Sequence, residues 1–200
     1  STLVHVRSLD GRERYVRIKE TQIESRVIVL AEDVTAATLE RMRIERERDY
    51  DLLTGLYNRR AFYRFAGRVF DQPDTMKHAA VVMMDLDNLK RTNDTFGHEW
   101  GDRYIHEAAV CFLRSIPEET LCARVSGDEF NILFYGYDSR EAVQQAIDRL
   151  ISGVENSCFN LPDGTATRIH VSGGIAWYPD DGTEMMELIK CADYAMYRIK

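Results

Sequence analysis

The stretch Arg124-Val-Ser-Gly-Asp-Glu-Phe130 determines how this sequence is interpreted. It places two adjacent carboxylates, Asp128 and Glu129, after a Ser-Gly pair and before an apolar run that continues to Tyr135. A glycine-containing turn between two runs of strand-forming residues predicts a β-hairpin. The sequence therefore predicts a hairpin over residues 121–135 that presents acidic side chains at its tip.

A second acidic segment lies earlier in the chain. Val81-Val-Met-Met84 is a continuous apolar run, typical of a buried strand, and it ends directly in Asp85-Leu-Asp87. Carboxylates bind divalent cations, and such cations in turn bind phosphate oxygens. If the strand end and the hairpin tip lie close together, they can hold a divalent metal over a phosphate.

The composition is that of a globular protein without a basic surface. The chain has 200 residues, of which 44% are hydrophobic and 30% charged, and its net charge is −7. Proteins that bind nucleic acid or membrane surfaces carry a basic patch, so neither partner is expected. No apolar run approaches the ~20 residues of a membrane helix. A nucleotide ligand remains compatible with the negative net charge, because a few cationic side chains and a metal can neutralise a triphosphate.

The cysteines indicate a reducing compartment. They are scattered without a C-x-x-C pair, which favours reduced core thiols and a cytoplasmic location. No signal peptide is visible, and the sequence starts without Met and stops inside a helical pattern, so we expect an excised piece of a longer protein. The four cysteines are Cys111, Cys122, Cys158 and Cys191.

Residues 1–34 alternate in the manner of β-strands and are predicted to form three of them. The strand segments are Leu3-Val-His-Val-Arg7, Tyr15-Val-Arg-Ile18 and Arg26-Val-Ile-Val-Leu-Ala31. Three strands without a second layer bury little, which indicates the C-terminal part of a larger domain. The way these strands lead through Glu32-Asp-Val-Thr35 into a helix resembles the end of a PAS sensory domain.

Residues 35–50 are predicted to form a very polar helix. Leu39 and Met42 have helical spacing, but Arg46 and Asp49 continue the same line, so an apolar seam is weak. A solvated linker and a dimerising connector that transmits a signal are both compatible with this pattern.

Residues 51–200 alternate between helices and strands. This order predicts an α+β domain with a central, mostly antiparallel sheet flanked by helices. The predicted elements are a helix capped by Asn58 that runs to about residue 71, a strand at 79–86, helices near 88–95 and 99–115, the hairpin, a helix at 139–155, a strand at 168–178 and a helix at 184–200.

Five segments of this region resemble, in order and spacing, the signatures of GGDEF domains. The resemblance implies a palm-like nucleotidyl cyclase fold and a diguanylate cyclase activity, which condenses two GTP into cyclic di-GMP and releases pyrophosphate in bacterial second-messenger signalling. The segments are Asp51-Leu-Leu-Thr-Gly-Leu-Tyr-Asn-Arg-Arg60, Met84-Asp-Leu-Asp-Asn-Leu-Lys-Arg-Thr-Asn-Asp-Thr-Phe-Gly-His-Glu-Trp-Gly-Asp102, Ser126-Gly-Asp-Glu-Phe130, Val171-Ser-Gly-Gly-Ile-Ala176 and Ala192-Asp-Tyr-Ala-Met-Tyr197.

The resemblance implies catalytic roles for the acidic residues. Asp85 and Asp128 match the family's metal-binding carboxylates, and the backbone carbonyl of Leu86 is a further ligand for Mg²⁺ or Mn²⁺. Glu129 matches a position that serves as a general base or as an additional metal ligand, and both roles stay open. Metal and cationic groups are needed because charge develops on the phosphate oxygens during phosphoryl transfer.

The resemblance also implies phosphate contacts. Gly127 has no Cβ, so the backbone can approach the nucleotide closely. Lys90 is expected to reach the β- and γ-phosphates, and the backbone N–H groups of Asn88 and Leu89 suit the same anion. Lys200 matches a lysine of the family's last helix that contacts phosphate.

Asn93 and Asp102 match the residues that read guanine in this family. An amide and a carboxylate can together pair with the O6 acceptor and the N1 and N2 donors of guanine. Adenine would leave both side chains unpaired, which implies selectivity for GTP.

Ser126 departs from the family pattern, which has glycine there. If this position needs a positive φ, serine adds strain on the order of 1 kcal/mol. Two functions are therefore expected as alternatives. The first is an active cyclase that works as a homodimer, because each subunit holds one GTP. The second is a degenerate domain that binds GTP without cyclising it and regulates an adjacent domain, such as a phosphodiesterase.

Overall fold

The computed structural model describes residues 1–7, 11–23 and 26–198, which form two compact units divided between Arg48 and Asp49. The first unit contains β1 (Thr2–Arg7), β2 (Glu13–Ile23), β3 (Arg26–Asp33) and all but the last residue of the helix α1 (Thr35–Asp49). The three predicted strands and the polar helix are thus confirmed. The assignment to a PAS-like domain stays a prediction.

The sheet of the first unit carries apolar and charged side chains on both of its faces. Strand β2 pairs antiparallel with both neighbours, so Ile18 shares a face with Val27 and Val29. These two valines are 63% and 57% exposed. The opposite face carries the exposed Ile28 and Leu30 together with the ion pair between Arg17 and Glu32, whose N–O distance is 3.6 Å. Within the described residues, nothing covers the valines, as expected of a sheet without a second layer.

The second unit contains every helix and strand predicted from residue 51 onward. Four short elements were not predicted, because segments of two to four residues show no periodicity: β4, α3, β8 and β9. In chain order the elements are β4 (Tyr57–Asn58), α2 (Arg59–Phe70), α3 (Pro73–Met76), β5 (His78–Leu86), α4 (Leu89–Phe96), α5 (His98–Ser115), β6 (Leu121–Ser126), β7 (Glu129–Tyr137), α6 (Arg140–Glu155), β8 (Phe159–Asn160), β9 (Ala166–Thr167), β10 (Val171–Tyr178) and α7 (Met185–Tyr197).

A five-stranded sheet with the order β10-β5-β7-β6-β4 organises this unit. The pairs β10–β5, β5–β7 and β7–β6 are antiparallel, and only β4–β6 is parallel. This confirms the α+β class and the mostly antiparallel sheet. The predicted cap of α2 is also present, because the Asn58 side chain accepts a hydrogen bond from the Ala61 N–H at 2.9 Å.

Helices cover both faces of this sheet. On one face, Val82 and Met84 of β5 pack into a core formed with α5 and α6. On the other, Val81 and Met83 pack with residues of α2 and α7; we call this the α2/α7 face. Helix α7 lies close to the sheet at Gly174, where a Cβ would clash with its backbone. Among the described residues, no helix is long and apolar enough to span a membrane.

Candidate active site

The acidic hairpin meets the acidic end of β5. Strands β6 and β7 are joined by the two-residue turn Gly127-Asp128, and Ser126 pairs with Glu129 directly beside it. The backbone N–H of Leu86 donates a hydrogen bond to the carbonyl of Asp128 at 2.9 Å. The two acidic segments therefore lie close together, as a shared metal site would require.

The polar side chains at this end of the sheet form a row on the α2/α7 face. Asp85 is paired directly with Glu129 on one side and with Ser172 on the other. Ser126 follows Glu129 in the same row. Directly opposite residues have Cβ atoms about 4.5–5.5 Å apart, and like charges in this position destabilise the sheet. We call these four residues the acidic row; a cation bound between the carboxylates would relieve their repulsion.

The oxygen atoms at the row suit a hard divalent cation that is also bound by a phosphorylated ligand. Asp85, Asp128 and Glu129 carry carboxylates, and Leu86 offers a carbonyl. In the part of the chain that the structure describes, however, no three Asp, Glu, His or Cys side chains converge into a group that could hold a metal. Mg²⁺ commonly binds through one or two carboxylates plus substrate phosphates. These residues therefore suit a cation that arrives with a nucleotide.

The chain turns sharply between β5 and α4. Asn88 has φ 65° and ψ 3°, in the left-handed region that Asn tolerates better than most residues. Asp87 is fixed before it, since its N–H donates to the His170 carbonyl and its carboxylate accepts from the Ser172 hydroxyl, both at 2.9 Å. The first turn of α4, which contains Leu89 and the exposed Lys90, thus begins at the acidic end of β5.

Asn93 contributes a buried acceptor without a partner. Among the described residues, no group bonds its side-chain oxygen, which is removed from solvent. Gly101 makes room for this oxygen, since a Cβ there would clash with it. Next to Gly101, Asp102 is exposed and lines a cleft of about 510 Å³ together with Leu53. An unsatisfied buried acceptor costs about 1–3 kcal/mol, and a ligand with N–H donors would remove that cost.

Ser126 does not have the backbone conformation that would make serine unfavourable. In the described residues, the non-glycine residues with positive φ are Lys77 and Asn88. The strain considered for Ser126 is therefore absent. Gly127 also has no positive φ, and a Cβ on it would meet open space. Its role in approach to a nucleotide stays a prediction, and Lys200 lies outside the described residues.

Arg124 and Asp51 support the hairpin tip, and sequence reasoning assigned neither of them a role at the site. The Arg124 Nε donates to the carbonyl of Gly127 at 2.9 Å, and its Nη1 lies 3.3 Å from both carboxylate oxygens of Asp51. Asp51 also accepts hydrogen bonds from the Thr54 N–H and hydroxyl at 2.9 and 2.7 Å. The first of the five GGDEF-like segments, which begins at Asp51, therefore stabilises the acidic turn. Sequence reasoning missed this contact because the two residues are 73 positions apart, and no periodic pattern connects residues at that separation.

The cysteines are free, but only some of them match the expected core position. Cys122 is fully buried in β6, and this burial raises the pKa of its thiol to about 12. Cys111 is half-buried, and burial raises its thiol pKa as well. Cys158 and Cys191 are exposed. The prediction of core thiols was therefore wrong for these two.

Comparison with known proteins agrees with this geometry. Residues 48–200 match the family described as "Diguanylate cyclase, GGDEF domain". The chain is 33% identical over 175 residues to the signaling protein YkoW of Bacillus subtilis, covering 87% of this chain and 22% of YkoW. It covers 39% of an uncharacterized membrane protein of Staphylococcus aureus, with 31% identity. The chain thus spans well under half the length of these relatives.

Two solved structures from Caulobacter crescentus are similar. A sensory box/GGDEF family protein has a TM-score of 0.63 and 32% identity, covering 75% of this chain and 96% of that one. The coiled coil and GGDEF domain of DgcB, solved in complex with c-di-GMP, has a TM-score of 0.67 and 26% identity, covering 81% and 88%. From residue 48 onward, this chain belongs to the GGDEF family of diguanylate cyclase domains.

Proposed function

We propose that the chain is an active diguanylate cyclase, which condenses two GTP into cyclic di-GMP and pyrophosphate. The observation that carries this proposal is the acidic row, in which Asp85 and Glu129 face each other beside the turn that holds Asp128. Two opposed carboxylates at the start of α4 suit a cation and a triphosphate together. The family membership supports the same chemistry.

The reaction is attack of a ribose 3′-hydroxyl on an α-phosphorus, with pyrophosphate as the leaving group. A bound Mg²⁺ or Mn²⁺ would stabilise negative charge on the phosphate oxygens, with Asp85, Asp128 and the Leu86 carbonyl as its ligands. Lys90 and the N–H groups of Asn88 and Leu89 bind the phosphates. Gly127 lies beside the nucleotide, and Lys200 adds a further cation.

Glu129 has one of two roles in this proposal. As a general base it accepts the proton of the 3′-hydroxyl, and as a ligand it completes the metal site. The pH dependence of turnover at saturating metal separates the two roles. If Glu129 is the general base, the rate still follows the protonation of its carboxylate when the metal is already bound; if Glu129 is only a metal ligand, it does not.

Asn93 and Asp102 select guanine. The unpartnered Asn93 oxygen gains a donor when guanine binds, and the exposed Asp102 carboxylate accepts from a second N–H. For Asn93→Ala, we expect an increase of about tenfold or more in the GTP dissociation constant, since a lost hydrogen bond to a ligand is worth about 1.5 kcal/mol. Competition of GTP and ATP against a fluorescent GTP analogue measures this; unchanged selectivity would count against the assignment.

Catalysis needs a second copy of the domain. Each copy holds one GTP, so the two copies must face each other to bring a 3′-hydroxyl to the other α-phosphorus. Product formation should therefore rise with the square of the protein concentration while the chain is mostly monomeric. A rate strictly proportional to protein concentration at all dilutions would contradict this.

The decisive experiment incubates the chain with GTP and Mg²⁺ and identifies the product by chromatography and mass. For Glu129→Gln, which keeps the shape and removes the charge, we expect a fall in turnover of at least about 100-fold. Glu118→Gln, at an exposed loop acid, is the matched control and should leave turnover unchanged. A folded wild-type chain that binds GTP without forming cyclic di-GMP would instead support the regulatory alternative. That alternative is motivated by Ser126, which stands where the family has glycine.

A further inference from the structure

Two buried side-chain oxygens lack a hydrogen-bond partner in the described part of the chain, those of Asn93 and Asn131. The guanine proposal uses the first and leaves the second unexplained. Asn131 lies in the middle of the sheet on β7 and is 1% exposed. No substrate atom can reach it directly, so any role in the reaction must act through a neighbour.

The neighbour is defined by the strand register. Asn131 follows Glu129 by two positions on β7, so both side chains lie on the α2/α7 face, roughly 7 Å apart along the strand. Asn131 is paired with Met83 on one side and with Ala123 on the other. It is therefore one step further into the core than the acidic row, and its neighbour on β6 is the small Ala123 side chain.

The two sets of oxygens cannot bond each other. The Asn131 oxygen and the ionised carboxylates of Glu129 and Asp85 all accept hydrogen bonds, so these carboxylates cannot satisfy that oxygen, although the Asn131 NH₂ group can donate to them. A group with two hydrogens to donate can join them, and a buried water is the smallest such group. The surroundings otherwise favour an apolar residue, since Leu133 and Phe62 belong to the same core.

We propose that Asn131 is a positioning residue for the reaction. Its Oδ1 accepts a hydrogen bond from a buried water, and the same water donates its other hydrogen to the Glu129 carboxylate. This contact restrains Glu129 in the orientation that the reaction needs, at the expense of a less apolar core. The inference rests on the proposed cyclase function.

Asn131→Leu tests this directly, because it fills the core and removes the acceptor. We expect a higher unfolding midpoint together with a kcat lowered by about 10–100-fold, the usual effect of losing an outer-shell contact. KM for GTP should stay within about twofold, because Asn131 does not touch the substrate. Asn131→Ser, which supplies a hydroxyl as an acceptor in a smaller side chain, should retain part of the kcat that Asn131→Leu loses. Leu133→Met, on the same strand and face, is the control for core packing and should leave kcat unchanged.

A crystal structure of the chain at high resolution gives a readout that does not depend on activity. We expect an ordered water within hydrogen-bond distance of the Asn131 oxygen and the Glu129 carboxylate. No water there, or a kcat of Asn131→Leu equal to that of the wild type, would overturn the inference. If the wild type forms no cyclic di-GMP, the proposed function fails. The positioning role is then tested by the affinity for Mn²⁺ in the presence of GTP, which Asn131→Leu should lower about tenfold. An unchanged Mn²⁺ affinity would refute the positioning role.

Discussion

Two apolar runs of similar sequence have opposite environments. In β3, Val27, Ile28, Val29 and Leu30 are 63%, 52%, 57% and 59% exposed. In β5, Val81, Val82, Met83 and Met84 are 1%, 4%, 9% and 5% exposed. Both runs consist of strand-forming residues, so local propensity does not distinguish them. An apolar run therefore predicts a strand, but not whether that strand is buried.

The difference comes from the layers around each sheet. Helices α2 and α7 cover one face of β5, and the core of α5 and α6 covers the other. The described residues of the first unit provide no such layer for β3. Burying one aliphatic side chain is worth about 1.5–3 kcal/mol, and this contribution is missing wherever the side chain stays exposed.

The largest effect should come from truncating the covered sheet. Ile132→Ala removes a side chain that is 0% exposed and should lower the free energy of unfolding by about 2–5 kcal/mol. Val29→Ala, in the uncovered sheet, should change it by less than about 1 kcal/mol. Urea denaturation followed by circular dichroism measures both, and the fluorescence of Trp100 and Trp177, which lie in the second unit, follows Ile132→Ala. Equal losses for the two variants would mean that β3 is covered in solution.

The next effect concerns two Arg–Asp pairs with the same 3.3 Å separation. Arg124 of the covered sheet and Asp51 of the loop before β4 have side chains that are 15% and 24% exposed, against 43% and 50% for Arg14 and Asp33. Arg124→Ala should lower stability by about 1.5–3 kcal/mol, because it removes the cationic partner of the part-buried Asp51 carboxylate and the donor to the Gly127 carbonyl. Arg14→Ala should have no measurable effect, because water solvates its partner.

The contact between Arg124 and Asp51 should also affect activity. Loss of this contact should reduce the proposed cyclase turnover, and Asp51→Asn combined with Arg124→Ala should be less harmful than the sum of the single changes. Strict additivity of the two changes would show that the pair does not act as one unit.

A smaller, pH-dependent effect comes from Cys122. Its folded pKa of about 12 lies above the usual value near 8.5, so its contribution to stability is complete below pH about 8.5 and is lost as the pH rises toward 12. Cys122→Val should flatten this alkaline loss. Tyr104 contributes in the same direction, because burial raises its pKa too. Alkylation of the native chain should modify the exposed Cys158 and spare Cys122; rapid labelling of Cys122 would contradict its burial.

The smallest effect is expected at the hairpin tip. Ser126→Gly restores the family's usual residue, yet Ser126 is exposed and has no positive φ, so no strain is available to relieve. Stability should change by less than about 0.5 kcal/mol, and cyclase turnover by less than about twofold. A large gain in turnover would show that serine limits the reaction for a reason other than backbone strain.

Much of the second unit could be predicted from the sequence. The apolar run before Asp85, the glycine turn before Glu129 and the Asn58 cap are local signals, and each element appears where its signal predicted it. The two-residue strand β4 and the four-residue helix α3 carried no such signal. The exposed Cys158 and Cys191 were placed wrongly, because residue type gives only an average burial.

The sequence by itself determined the order of helices and strands, the GGDEF resemblance and the candidate site residues, because these depend on short spacings along the chain. The tertiary structure alone decided that Asp85 lies opposite Glu129, that Arg124 reaches Asp51 and that the buried Asn131 side-chain oxygen has no hydrogen-bond partner among the described residues. These relations join residues on different strands or in distant segments. Strand order, register and the covering helices fix them, and no local preference of the chain specifies any of the three.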